Sequence, residues 1–168
     1  MKKLKQKDGF MSVVGVVLGS TLFITFMWLM LDLTHYAQQN RSTKNVLDNA
    51  TASAVTRIDE TSLGSGNIKF LKSEAREIAM NIIRGDLFLD ENNNPLPQSP
   101  LKEAPEIQIF VIDNVDRVNG TLVDVAGVKT MRIKNPSVII YAKLPTKGIF
   151  LRNKGPVFQH ISASQVSY

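Results

Sequence analysis

Hydrophobicity changes its period twice along this chain. From Phe10 to Leu31, 22 residues (FMSVVGVVLGSTLFITFMWLML) pass without a charge. At ~1.5 Å of rise per helical residue the run is ~33 Å long, enough for the ~30 Å hydrocarbon core of a bilayer. From Asp32 to Ile58 there is neither Gly nor Pro. Apolar or small residues recur there at Leu33, Tyr36, Ala37, Leu47, Ala50, Ala54, Val55 and Ile58, close to the spacing of one helix face. Gln38, Arg41, Lys44, Asp48, Arg57 and Asp59 fall on the opposite face. The pattern predicts one unbroken helix from Phe10 to about Asp59, ~75 Å long, stopped at Leu63-Gly64-Ser65-Gly66-Asn67 because Gly frees the backbone for a helix end.

A second helix is expected over Lys72 to Leu87, with Ser73 as N-cap and Glu74 and Glu77 in its first turn. Its apolar face comprises Ile78, Ile82 and Leu87 with Ala75, Ala79 and Ile83, and Gly85 weakens the last turn. Residues 90–105 hold four prolines and three consecutive asparagines and read as an irregular surface loop. Beyond Glu106 the period becomes strand-like. Ile107–Ile112, Leu122–Val125, Val128–Ile133, Val138–Leu144, Ile149–Leu151 and Val157–Val166 are rich in Ile, Val, Phe, Tyr and Thr and are separated by Gly, Pro and Asn. Helices first and strands afterwards predict an α+β fold, its mainly antiparallel sheet packed on the second half of the long helix. The expected organisation is a basic leader (1–9), an apolar helix (10–31), an amphipathic stalk (32–59) and an outer head (68–168).

Charge fixes an expected orientation. Lys2, Lys3, Lys5 and Lys7 precede the apolar run, whereas the first basic residue after it is Arg41. The tip is therefore expected in the cytoplasm and residues 32–168 outside, as a single-pass membrane protein. A cleavable secretory signal is the competing reading. Its apolar core should span only ~7 to 15 residues with an A-x-A-like site behind it, hinted at here by Thr34 and Ala37 alone. The chain has no cysteine, so disulfides, thiolate metal sites and cysteine nucleophiles are excluded. The 137 residues past the apolar run suit one domain resting on its apolar core.

The net charge of +5 is unevenly spread: +3 over residues 1–31, −5 over 32–127 and +7 over 128–168, where no acid occurs. Three readings fit: a solvated sheet face, complementary faces that meet within one subunit or between neighbours in an assembly, or a basic face for DNA or an anionic surface polymer. Lys143, Lys147, Arg152 and Lys154 would carry the last. Base-stacking aromatics are sparse there, only Tyr141, Phe150, Phe158 and Tyr168.

Ser12, Gly15 and Gly19 lay small residues along one side of the apolar helix, which suits close helix packing. Catalysis is hard to build. His35 and His160 have neither paired metal-ligand spacing nor a nucleophile signature near them. Asp90, Asn92 and Asn94 imitate the opening of a calcium loop, but Pro95 stands where Gly is required and Leu101 where the closing Glu belongs, so a polar turn is expected. Sequons at Asn40, Asn49 and Asn119 read as chance. No metal, cofactor or enzymatic activity is expected.

Lys7-Asp8-Gly9 followed by Phe10 and an apolar helix that continues as an amphipathic stalk resembles the amino terminus of type IV pilins and pseudopilins. Leu47-Asp48-Asn49-Ala50-Thr51-Ala52-Ser53-Ala54-Val55 is similar to the alanine-rich segment after the anchor in TadE-like pseudopilins of tight-adherence systems. The resemblance covers residues 1–59. It implies a prepilin peptidase that cuts between Gly9 and Phe10, other pilin or pseudopilin subunits as partners, and a role in a surface filament. The glutamate usual at the fifth mature position is Val14 here. A membrane-embedded carboxylate is costly unless paired, so its absence removes both the cost and the pairing with a neighbouring subunit's amino terminus; as some minor pseudopilins also lack this acid, the resemblance implies a minor subunit. The alternative expectation is a membrane-anchored binding protein of a secretion, DNA-uptake or wall-associated complex.

Overall fold

The computed structural model describes residues 2–63, 68–116, 118–149 and 155–166, with side chains from Ser12 onward except Leu63. The predicted long helix is present as α1 (Lys2–Val55), 54 residues and ~81 Å by helical rise. It begins within the basic tip and passes the end of the apolar run at Asp32 without a break.

Its end departs from the expectation. The helix stops at Val55, before the glycines. Thr56 turns the chain, and Ile58 pairs antiparallel with Phe70 in an isolated bridge. Asp59 then caps a single helical turn, α2 (Glu60–Leu63), its Oδ1 accepting from the Thr61 amide at 3.0 Å and hydroxyl at 2.6 Å. The extended pairing of Ile58 draws the chain out of the helix. Residues 64–67, the expected stop, lie outside the described residues.

The same bridge fixes the start of α3 (Lys72–Asp86), where Leu71, not Ser73, occupies the N-cap position and no side chain caps. Phe70 is still paired and the Leu71 amide donates to the Arg57 carbonyl, so the helix opens one residue later and Ser73 falls inside it. The buried face of α3 is Ala75, Ala79 and Ile83, continued by Leu87; Ile82 is half-buried. With Ala50 and Ala54 of α1 fully buried in the same cluster, alanines line the approach of α1 to α3 and let the two backbones close up.

Five strands follow, at positions close to those expected: β1 (Glu106–Ile112), β2 (Thr121–Val125), β3 (Lys129–Ile133), β4 (Ser137–Pro145) and β5 (Val157–Gln165). All described pairs are antiparallel, but they divide into a three-stranded sheet β1-β4-β5 and a separate hairpin β2-β3. Val128 lies in the hairpin turn instead of a strand, because Ala126 (φ 54°) and Gly127 (φ 68°) both adopt left-handed backbone. Ile149 is a bend, not the start of a strand, and Phe150 and Leu151 lie outside the described residues.

Period-two alternation makes β4 the middle of a three-layer head. Its Val138, Ile140, Ala142 and Leu144 meet α1 and α3, together with Val111 of β1 and Leu47 of α1. Ile139 and Tyr141 point the other way, onto Val125 and Ile133 of the hairpin. The fold is α+β, an apolar N-terminal helix running into a helix–sheet–hairpin head.

Candidate functional site

Two surfaces carry what could be functional: the uncovered half of α1, and the line along which its other half meets the head. None of the apolar window of α1 is buried. Val16 and Leu22 are 70 % exposed and Trp28 54 %. The hydroxyls of this stretch turn inward onto their own helix: Thr21 donates to the Val17 carbonyl at 2.8 Å, Thr25 to Thr21 at 2.9 Å and Thr34 to Met30 at 2.8 Å. Such back-bonding satisfies these hydroxyl protons within the helix, which suits an apolar surrounding. A Cβ added at Gly15 or Gly19 would meet nothing within 4 Å, and Ser12 is exposed, so the small-residue face is open to a neighbour. Gly9 and Phe10 belong to the helical backbone of α1; their side chains lie outside the described residues.

The second surface differs from the face the apolar pattern picked out. Leu33 and Ala37 are exposed; the buried positions of this stretch are Asp32, Gln39 and Thr43, leading into Leu47, Ala50 and Thr51. Thr43, Asp48 and Thr51 meet β5, whose alternate residues His160, Ser162 and Ser164 face α1. Thr43 Oγ1 lies 3.3 Å from His160 Nε2. Ser162 donates to Asp48 Oδ1 at 2.6 Å and lies 2.9 Å from Thr51 Oγ1, which also accepts from Ser164 at 3.2 Å. Stalk and edge strand are therefore joined by a hydrogen-bonded seam. The Gln39 Oε1 atom is buried beside it without a hydrogen-bond partner. Burial pulls the His160 imidazole below its ordinary value, Lys44 adds to this and Asp48 opposes it. A sequence signal for the seam existed: stepping back from Leu47 by four reaches Thr43 and Gln39, and seven more reaches Asp32.

Lower on the stalk, Asp32 Oδ1 accepts the Ile149 amide at 3.0 Å, tying the β4–β5 loop to the first charge past the apolar run. The base of that loop is closed by Thr146, whose amide and hydroxyl both reach the Pro156 carbonyl, at 3.0 and 2.7 Å.

Of the basic quartet, Lys143 is exposed on β4 in register between Glu106 and Gln159. Lys147 is half-buried, its ammonium donating to the Ser99 carbonyl at 3.1 Å. Arg152 and Lys154 lie outside the described residues. The other described cations of the basic segment, Lys129, Arg132 and Lys134, are exposed on and beside the hairpin. Asp90 is a polar turn: its Oδ1 accepts the amides of Asn92 at 2.8 Å and Asn94 at 2.7 Å, and these bonds hold its carboxyl below the usual carboxylate range. Asp116 repeats the device with Val118 and Asn119. Among the described residues no three His, Asp or Glu side chains group as a metal site. Scans of family models, of curated proteins and of solved structures find no match to this chain.

Proposed function

We propose that the chain is a non-enzymatic structural subunit, of the minor kind, in a pilus or pseudopilus related to type IV and tight-adherence filaments. One observation carries this reading. A single unbroken helix has its apolar half wholly uncovered and its other half clamped into a folded head. The 14 large apolar side chains uncovered between Val13 and Leu31 need lipid before assembly and neighbouring helices afterwards, since each one left in water forgoes about 1.5–3 kcal/mol.

In this reading Phe10 to Leu31 span the membrane with the lysine-rich tip in the cytoplasm and the head outside. A prepilin peptidase cuts between Gly9 and Phe10. The face of Ser12, Gly15 and Gly19 then seats against the helices of adjacent subunits, and Val14 spares the helix a buried carboxylate. The test is to shear surface filaments from cells that express the chain and to measure its mass there. A filament-associated chain beginning at Phe10 is expected. A chain found only in membranes, with Met1 to Gly9 attached, overturns the proposal.

A further inference from the structure

Depth along α1 places part of the head in the lipid headgroup layer. If Phe10 to Leu31 fill the ~30 Å hydrocarbon core, the headgroup layer covers roughly the next 5–8 Å on each side. Asp32 is the first residue past that run and lies within this layer. The Ile149 amide sits 3.0 Å from Asp32 Oδ1, so the tip of the β4–β5 loop is held at the same depth. Trp28, one helical turn below Asp32 and 54 % exposed, marks the boundary as interfacial tryptophans do.

The chemistry of the tip suits that depth. Ile149 is 45 % exposed, an awkward side chain for water and an ordinary one at the acyl boundary. Lys147 precedes it by two residues. Its ammonium has three donors, of which the Ser99 carbonyl takes one. The loop is also pre-formed at its neck, where Thr146 grips Pro156.

We infer that the Lys147–Ile149 tip is a membrane-surface contact of the head, with Ile149 seated at the acyl boundary and Lys147 recognising anionic lipid headgroups. The inference rests on the membrane-spanning reading of residues 10–31. Its consequence is an orientation: the contact fixes the tilt and rotation of α1, and of the head packed on it, relative to the membrane before assembly.

The absence of cysteine allows single reporters to be placed in the full-length chain. Leu22→Cys, Ile149→Cys and Val118→Cys, each carrying a polarity-sensitive fluorophore, would be reconstituted in vesicles of phosphatidylcholine with or without phosphatidylglycerol. The vesicles would hold lipid-borne quenchers. Labels at Leu22 and Ile149 are expected to be quenched several-fold more than the label at Val118, which is 83 % exposed and follows β1 at the Ser137 end of β4, opposite the end from which the β4–β5 loop leaves. Quenching at Ile149 should deepen with phosphatidylglycerol, fall in Lys147→Ala and return in Lys147→Arg. Quenching at Leu22 with an Ile149 label as dry of lipid as Val118 overturns the inference and leaves the anchor intact. No quenching at Leu22 overturns both. Ile149 quenching that ignores lipid charge overturns headgroup recognition.

Discussion

Gly155 is required by a close approach that its sequence context does not reveal. A Cβ at this position would lie inside the van der Waals shell of the Thr146 carbonyl oxygen, and backbone cannot yield as a flexible side chain can. Gly155→Ala is therefore expected to lower stability by about 3 kcal/mol, by forcing apart the neck of the β4–β5 loop. Urea titration of the detergent-solubilised full chain reads this directly, and an unchanged midpoint would show that the neck opens freely. The sequence marks Lys154 to Pro156 as a break between strands, and Gly155 and Pro156 do stand outside any strand; contact across the neck joins residues nine apart and leaves no periodic trace. His160 makes the second prediction at this scale. Its folded-state pKa is depressed, so the unfolded chain takes up a proton first as pH falls. Stability is full above the unfolded value of about 6.5 and is lost as pH falls through that value toward the lower folded one. Denaturation midpoints taken between about pH 7.5 and 5.5 should drop for the natural chain and drop less for His160→Gln, because the other shifted carboxyls titrate in a lower window. Parallel curves would remove His160 as the cause.

At the scale of elements, the seam between α1 and β5 separates what hydrophobic patterning reads from what it cannot. Strands β1 to β5 and helix α3 fall within one or two residues of their expected limits, because apolar alternation and Gly/Pro/Asn punctuation report them directly. The buried face of the stalk below Leu47 was invisible to the same logic. Asp32, Gln39 and Thr43 are polar: Asp32 accepts the Ile149 amide, Thr43 faces His160 and Gln39 buries an unpartnered Oε1, so burial there adds nothing to an apolar period. The helix end failed for a related reason: Ile58 pairs with Phe70 across residues that no local rule connects. Removing one partner of a buried pair strands the other, whereas removing both does not. Thr51→Val and Ser162→Ala are each expected to cost about 1–2 kcal/mol. The double variant should cost less than their sum by at least about 0.5 kcal/mol. Strict additivity in the double-mutant cycle would show that the two hydroxyls do not act together across the seam.

For the whole molecule, the decisive property is that the two halves of α1 answer to different surroundings. The head's stability is set by the cluster of Leu47, Ala50 and Ala54 with α3 and β4, which lies more than 15 residues beyond the apolar run. Among the described residues nothing approaches Gly15 or Gly19 within 4 Å of an added Cβ. Replacing either glycine with leucine therefore changes no contact inside one molecule, keeps the run apolar, and favours the helix intrinsically by about 1 kcal/mol. Gly15→Leu and Gly19→Leu should leave the unfolding midpoint of the head and the membrane insertion of the chain as they were. The same changes should obstruct a neighbour whose backbone packs closely on the face of Ser12, Gly15 and Gly19, because small residues are what permit that approach. Loss of the chain from sheared filaments, with undiminished amounts in the membrane, is the expected result. Normal incorporation of both leucine variants would mean that this face looks onto lipid or open space in the assembly, and that some other side of the apolar helix makes the contact between subunits.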